Sequence, residues 1–532
     1  MKKHKVQRLG SVGILLALTA VVMMGSFTLL GTRVESQVFS QINMGLTIRE
    51  PAAIPAAPRP KAKSAGTYND GLEPAVEPTV ERTPQPVEVN PFTLTSQDHL
   101  STFGLDVDTA SYTTARNYIT DGSLPPESEV RVEEFINYFD YGYTPPQEDA
   151  LTIALDAAPL PWTSIEGQQT HLVRVGIQGK HIDDSERDDA SLIFVIDVSG
   201  SMAEPNRLPM VKESLTLLVE KLRETDQVGI VIYSDDTRVV LEPTSAAKRN
   251  KIRRAINSLE IEGATNVEAG LRLGYELAAE HFKVGGINRV ILCSDGVANV
   301  GETGPDAIRE VIRDHTAQGV LLTTVGFGMG DYNDYLMEQL ADDGNGNYAY
   351  VDTLDEARRV FVENLTGMLQ VIAKDAKVQV DFNPNVVQSY RLLGYENRAI
   401  ADEDFRNEKV DAGEVGVDHN VTALYEVVLN EQASGDAITV YLRYKHPQSG
   451  KVTELEQPLA TDAFGTSFDE MSPQFRLAVA VAGFAEQLRG SGYAQDRSMA
   501  DILAIADPVA QEMANDAEVQ EFVELVRQAS NL

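Results

Sequence analysis

The hydrophobic pattern of the chain changes period along its length. Between residues 188 and 369, short β-branched apolar runs alternate with segments whose apolar residues recur at helical spacing. The runs at 192–198, 228–233, 290–293 and 320–327 are nearly continuous in Val, Ile, Leu and Phe, as expected of parallel strands covered on both faces. Helical periodicity fills 208–222, 267–282 and 307–315 between them. Residues 238–241, after Tyr233-Ser234-Asp235-Asp236, predict a hairpin-linked edge strand. This alternation predicts a doubly wound, mainly parallel α/β sheet, closed by a strand at 348–351 and a helix at 354–369.

On either side of that unit the pattern is strand without helix. Residues 151–159 and 170–179 precede it, and 377–382, 386–393, 423–429 and 438–444 follow it. Lone hairpins are marginal, so the two sets are expected to join into one flanking β-sandwich, with the α/β unit inserted between them. Residues 92–146 carry helical patterning with turns at Asp121-Gly122 and Leu124-Pro125-Pro126. The carboxyl end returns to helix: Ser472 caps, Pro473 takes the first turn, and Leu477, Val481, Phe484 and Leu488 line one face up to Gly490. Further helices are expected near 499–505 and 518–529. The resulting division is 1–35 membrane anchor or signal segment, 36–91 Pro-rich linker, 92–150 amino-terminal segment, 151–187 first sandwich strands, 188–369 α/β domain, 370–462 sandwich continuation and 463–532 helical region.

The amino terminus sets the expected location. Lys2, Lys3, Lys5 and Arg8 precede an uncharged run from 9 to 31, which as a helix at about 1.5 Å per residue reaches roughly 35 Å, enough for a bilayer core. Gly25 and Ser26 leave cleavage as an alternative. The basic flank should stay inside, giving a single-pass protein whose bulk is extracytoplasmic, periplasmic or at the cell surface. Nine of the 24 prolines fall in 51–91, a composition that spaces and does not fold.

Charge narrows the partners. Eighty Asp and Glu against 45 Lys and Arg give a formal charge of −35, a surface that repels phosphate backbones, so no nucleic-acid partner is expected. The single cysteine, Cys293, excludes an intrachain disulfide and a thiolate cluster.

Three loops carry candidate chemistry. Asp197-Val198-Ser199-Gly200-Ser201-Met202 ends the first α/β strand, Gly263-Ala264-Thr265-Asn266 precedes a helix, and Ser294-Asp295-Gly296 ends the 290–293 strand. Open α/β sheets place ligands at such strand ends. The donors are hydroxyls and carboxylates, which favour Mg²⁺, with Mn²⁺ or Ca²⁺ as alternatives, over zinc. Asp106-Val107-Asp108-Thr109 offers either a phosphotransfer pair or a helix cap, and the cap by Asp108 or Thr109 is the expectation. Asp343-Gly344-Asn345-Gly346-Asn347 lacks the glycine and glutamate of a calcium loop and predicts a turn.

The D-x-S-x-S, T and D spacing resembles the metal-ion-dependent adhesion site of von Willebrand factor type A domains, over roughly 188–369. That resemblance implies that Ser199, Ser201 and Thr265 ligate the ion, Thr265 directly or through water, while Asp197 and Asp295 hold its waters. The stretches at 101–112, 131–139 and 475–491 resemble bacterial YfbK-type proteins, an envelope-associated group whose members are often lipoproteins, although this chain lacks the lipobox cysteine. The implied function is non-enzymatic binding of a protein partner that presents Asp or Glu to the metal. The alternatives are a structural envelope protein in which the metal only stabilises the fold, a metal-assisted hydrolase, and a partner of a cytoplasmic ATPase.

Overall fold

The computed structural model describes residues 89–162, 164–165, 167–296, 305–328, 334–431 and 434–532. The predicted anchor and residues 36–88 of the predicted linker lie outside the described residues.

The α/β unit is built on a six-stranded sheet ordered Tyr348–Val351, Leu321–Phe327, Ile287–Ser294, Ala190–Asp197, Gln227–Tyr233, Thr237–Ser245. Every pairing is parallel except the last, which closes the edge as a hairpin. Both faces are covered, which is why the strands read as unbroken apolar runs. One face packs on helices Leu208–Lys221 and Arg249–Asn257 through Leu215, Leu218 and Ile252. The other packs on Val267–Glu280, Pro305–Thr316 and Asp334–Asp343 through Leu271, Ile312 and Leu340. The predicted helix at 354–369 is Leu354–Arg358 and Leu365–Leu369 with a π-turn, Arg359–Glu363, between them.

The strands on either side of this unit pair with one another. His171–Gly179 lies between Leu151–Pro159 and Asn420–Leu429, with Val387–Leu393 beyond, all antiparallel. A second sheet is formed by Gly413–Gly416, Val371–Phe382, Asp436–Lys445 and Val452–Ala460. Val173, Val175 and Tyr425 from the first sheet share one core with Val378, Val440 and Leu442 from the second, so the sheets stack as a sandwich. The helical region packs beside it: Pro473–Leu488, Met499–Glu512 and Ala517–Ala529 surround Phe484, Phe522 and the amino-terminal Phe135 and Phe139. Ser472 caps the first of these helices through the Phe475 amide at 3.1 Å.

Three expectations are corrected. The amino-terminal segment is not purely helical: Leu100–Gly104 adds a strand alongside Val371–Phe382. Neither Asp108 nor Thr109 caps helix Ala110–Thr120. Asp108 Oδ1 instead accepts the Tyr348 amide at 2.8 Å, and the helix-terminal amide of Ser111 is met by Glu134 Oε2 at 2.7 Å. This helix end is buried, so its free amides are satisfied from a neighbouring helix. The third correction concerns location. No helix among the described residues is long and apolar enough to cross a membrane. The longest described helix, Pro473–Leu488, has 16 residues, short of the roughly 20 that a bilayer core requires. The single-pass, extracytoplasmic placement therefore falls away; the run that suggested it lies outside the described residues.

Candidate metal centre

Ala190–Asp197 is a central strand of the α/β sheet, and its last residue, Asp197, is fully buried. A carboxylate there has lost its water, and burial is the largest influence on it, pushing its pKa up to about 6. The Ser199 amide opposes that shift by donating to Asp197 Oδ1 at 2.9 Å. This bond folds the chain back immediately after the strand and turns the next residues over its end. Ser199 and Ser201 consequently face each other, Oγ to Oγ at 3.0 Å. Ser199 is buried and Ser201 half-buried.

The neighbouring strand, Ile287–Ser294, brings the next loop to the same edge. Ser294 Oγ donates to Asp197 Oδ2 at 3.2 Å and accepts the Gly296 amide at 3.1 Å. Between them stands Asp295, 1% exposed. Its Oδ2 accepts from Arg207 Nη1 at 2.7 Å, and the same nitrogen donates to the Ser201 carbonyl at 2.7 Å. The third loop is tied on by backbone bonds: the Gly200 amide donates to the Gly263 carbonyl at 3.0 Å, and the Glu262 amide to the Val198 carbonyl at 2.6 Å. A Cβ at Gly263 would lie 1.6 Å from Asp235 Oδ2, so a side chain there requires the exposed Asp235 carboxylate to turn away. Half-buried Thr265 follows on this loop, before Asn266 caps helix Val267–Glu280 through the Ala269 amide at 3.1 Å.

The structure thus links Asp197, Ser199, Ser201 and Asp295 in one hydrogen-bonded cluster, and bonds the Thr265 loop to the Ser199–Ser201 turn through backbone alone. Arg207, Ser294 and Asp235 belong to the same neighbourhood, and the sequence reading assigned them no role. Arg207 could have been suspected as a cation placed between an acidic loop and a helix start. Ser294 could have been found as a hydroxyl beside Asp295.

The donor set fits a small hard cation. Two adjacent ligands of an octahedral ion at about 2.1 Å stand about 3 Å apart, the spacing of the two serine oxygens. Among the described residues no group of three or more His, Cys, Asp or Glu side chains is placed to hold a metal, so an ion here would depend on hydroxyls.

A family model described as "von Willebrand factor type A domain" matches residues 191–367. One described as "von Willebrand factor" matches 80–174, and one described as "Uncharacterized protein YfbK, C-terminal" matches 367–532. The YfbK protein of Escherichia coli (strain K12) is 39% identical over 445 residues, 79% of this chain and 76% of that one. The chain belongs to the YfbK-type family of von Willebrand factor type A proteins. A second relative, the sll0103 protein of Synechocystis sp., is 25% identical over 295 residues, 54% of this chain and 69% of that one. A solved von Willebrand factor type A structure from Catenulispora acidiphila aligns with TM-score 0.43 at 15% identity, covering 68% of this chain and 88% of that chain. Type A domains typically mediate protein interactions, and many bind a divalent metal.

Proposed function

We propose that this protein is a non-enzymatic binding module that engages an acidic protein partner through a divalent ion, Mg²⁺ first and Mn²⁺ or Ca²⁺ as alternatives. Ser199, Ser201 and Thr265 would be the ligands, with Asp197 and Asp295 holding metal-bound water. The observation that carries this reading is the 3.0 Å spacing of Ser199 Oγ and Ser201 Oγ over a buried carboxylate. An ion bound mainly by neutral hydroxyls keeps most of its charge and attracts an Asp or Glu side chain from the partner. The residues supply the rest: the Ser199 amide fixes Asp197, and Arg207 offsets the charge of Asp295.

Arg207 also favours this reading over a metal that only stabilises the fold. Its guanidinium already ties the Asp295 loop to the Ser201 carbonyl, so the loops are joined without a metal staple. The two serine hydroxyls pair with each other, which argues against an activated nucleophile.

Water-proton relaxation of Mn²⁺ added to the protein tests the reading. Bound Mn²⁺ with open positions should enhance relaxation, and acetate, standing in for the partner's carboxylate, should lower that enhancement by displacing water. Ser201→Ala should abolish both effects. Enhancement that is indifferent to acetate would mean that no position is open to a partner.

A further inference from the structure

A separate cavity of about 780 Å³ lies in the carboxyl-terminal helical region, lined by Trp162, Tyr493, Arg497, Ala504, Ile505 and Pro508 among others. Its volume is that of a site for a drug-sized ligand. Arg497 is 9% exposed, and its guanidinium lies 3.9 Å from the centre of the Trp162 ring. Arg497 Nε is enclosed without a hydrogen-bond partner. The buried carboxylates that could have met it are engaged elsewhere: Arg391 holds Glu426 and Glu486 at 2.8 Å each, and Arg489 holds Glu486 as well. Burying a guanidinium without an ion pair is costly, and stacking on an indole offsets only part of that cost.

Two further features belong to the same region. Trp162 Nε1 is enclosed with no acceptor. Pro508 stands inside helix Met499–Glu512, so residue 508 has no amide to give the Ala504 carbonyl one turn earlier. Gly483 packs against this pair, and a Cβ there would touch the Trp162 ring at 3.3 Å and Arg497 Nη1 at 3.5 Å. The cavity therefore presents the Arg497 guanidinium, which has no ion pair, and the Ala504 carbonyl beside Ile505 and Tyr493. Asp469, Asp496 and Asp501 also line it and disfavour a ligand with more than one negative charge.

We propose that this cavity binds the carboxyl-terminal end of a peptide. The terminal carboxylate pairs with Arg497, a peptide N–H meets the Ala504 carbonyl, and the last side chain rests against Ile505 and Tyr493. A carboxylate supplies the planar partner that a guanidinium pairs with in bidentate fashion. A neutral ligand would leave Arg497 buried and unpaired.

Trp162 is the chain's only tryptophan, so intrinsic fluorescence of the full chain reports on this cavity directly. The probes are N-acetyl-Ala-Phe with a free carboxylate, the same peptide as its carboxyl-terminal amide, and 3-phenylpropionate, which has the carboxylate without a peptide N–H. The free acid should give a saturable change, the amide should bind at least about tenfold more weakly, and phenylpropionate several-fold more weakly. Arg497→Gln should remove the preference for the acid. Pro508→Ala restores an amide to the Ala504 carbonyl and should keep the helix intact while weakening the peptide several-fold. Equal binding of acid and amide, or no saturable change up to about 10 mM peptide, would overturn the proposal. Equal binding of phenylpropionate and the peptide acid would overturn its peptide character.

Discussion

Arg207 Nη1 lies 2.7 Å from Asp295 Oδ2, and the guanidinium and carboxylate form an ion pair within the cluster expected to bind a divalent cation. The Asp295 side chain is fully buried and that of Arg207 is 12% exposed. The guanidinium thus neutralises one of the two carboxylates at the strand ends and competes for the electrostatic field that would draw a metal.

The first prediction follows from that pair. Arg207→Met should leave Asp295 buried without its counter-ion and lower the stability of the metal-free protein by about 3–5 kcal/mol. The same change removes a positive charge beside the site, so Mn²⁺ should bind more tightly by roughly 1 kcal/mol, about fivefold. Thermal unfolding with EDTA and with excess Mn²⁺ measures both, and the variant should gain more from the metal than the wild type does.

The second concerns pH and a carboxyl outside the metal loops. Glu133 is 1% exposed and its Oε2 has no hydrogen-bond partner. Burial, followed by the nearby Glu396, Glu134 and Asp106, pushes its pKa from 4.5 up to about 7. The folded protein therefore holds this proton more tightly than the unfolded chain does. Its contribution is fully present below about pH 4.5 and is lost as pH rises from there through about 7, a difference of about 3 kcal/mol. Glu133→Gln should flatten that part of the profile and be the more stable protein at pH 8. Urea titrations at pH 5, 6, 7 and 8 decide it; parallel profiles for the two proteins would contradict the assignment.

The third tests an ion cluster that joins three parts of the fold. Arg116, on helix Ala110–Thr120, reaches Asp352 at 2.7 Å, Glu356 at 3.0 Å and Glu521 at 2.9 Å. The Asp352 and Glu356 side chains are 3% and 2% exposed, so Arg116→Ala leaves Asp352 buried without its counter-ion, while Glu356 keeps Arg359 at 3.4 Å. The expected loss is about 3–5 kcal/mol by urea denaturation. Glu521→Ala, which removes a half-exposed partner, should cost under about 1 kcal/mol.

The fourth uses the glycine beside the metal loops. Gly263→Ala places a Cβ where Asp235 Oδ2 now lies, and the exposed Asp235 carboxylate must swing aside from the loop that carries Thr265. Metal affinity should therefore fall by no more than about twofold, and Asp235→Ala in the same protein should remove even that change. Calorimetry on the single and double variants gives the coupling directly.

Much of the fold was legible in the sequence because burial on both faces leaves a plain signature. The runs around Leu192, Val228, Val290 and Leu321 are strands, and the helix starting at Leu208 begins where its periodicity does. Strand Leu100–Gly104 was missed because five residues beside a helical stretch carry too little pattern to set a period. Strand Val452–Ala460 was missed because it is a mostly exposed edge, and its alternate Glu454 and Glu456 hide it from a hydrophobicity reading. That Asp197, Ser199 and Ser201 stand together was legible because their spacing is local to one turn. Arg207 pairs with Asp295 across a sequence separation of 88, a contact made by strand order and by nothing in the spacing. The Asp108 carboxylate was misread for the same reason: its partner, the Tyr348 amide, is 240 residues away.

The central claim is that the hydroxyls over Asp197 bind a divalent ion. Titration calorimetry of wild type and Ser201→Ala with Mg²⁺ and Mn²⁺, with circular dichroism on both, tests it most directly. The serine side chain makes no apolar core contact, so the variant should keep its fold while losing one oxygen ligand from an ion that demands near-octahedral geometry. The account predicts one ion per chain in the wild type and at least about tenfold weaker binding in Ser201→Ala, a difference of about 1.4 kcal/mol. Equal affinity in two equally folded proteins would contradict it.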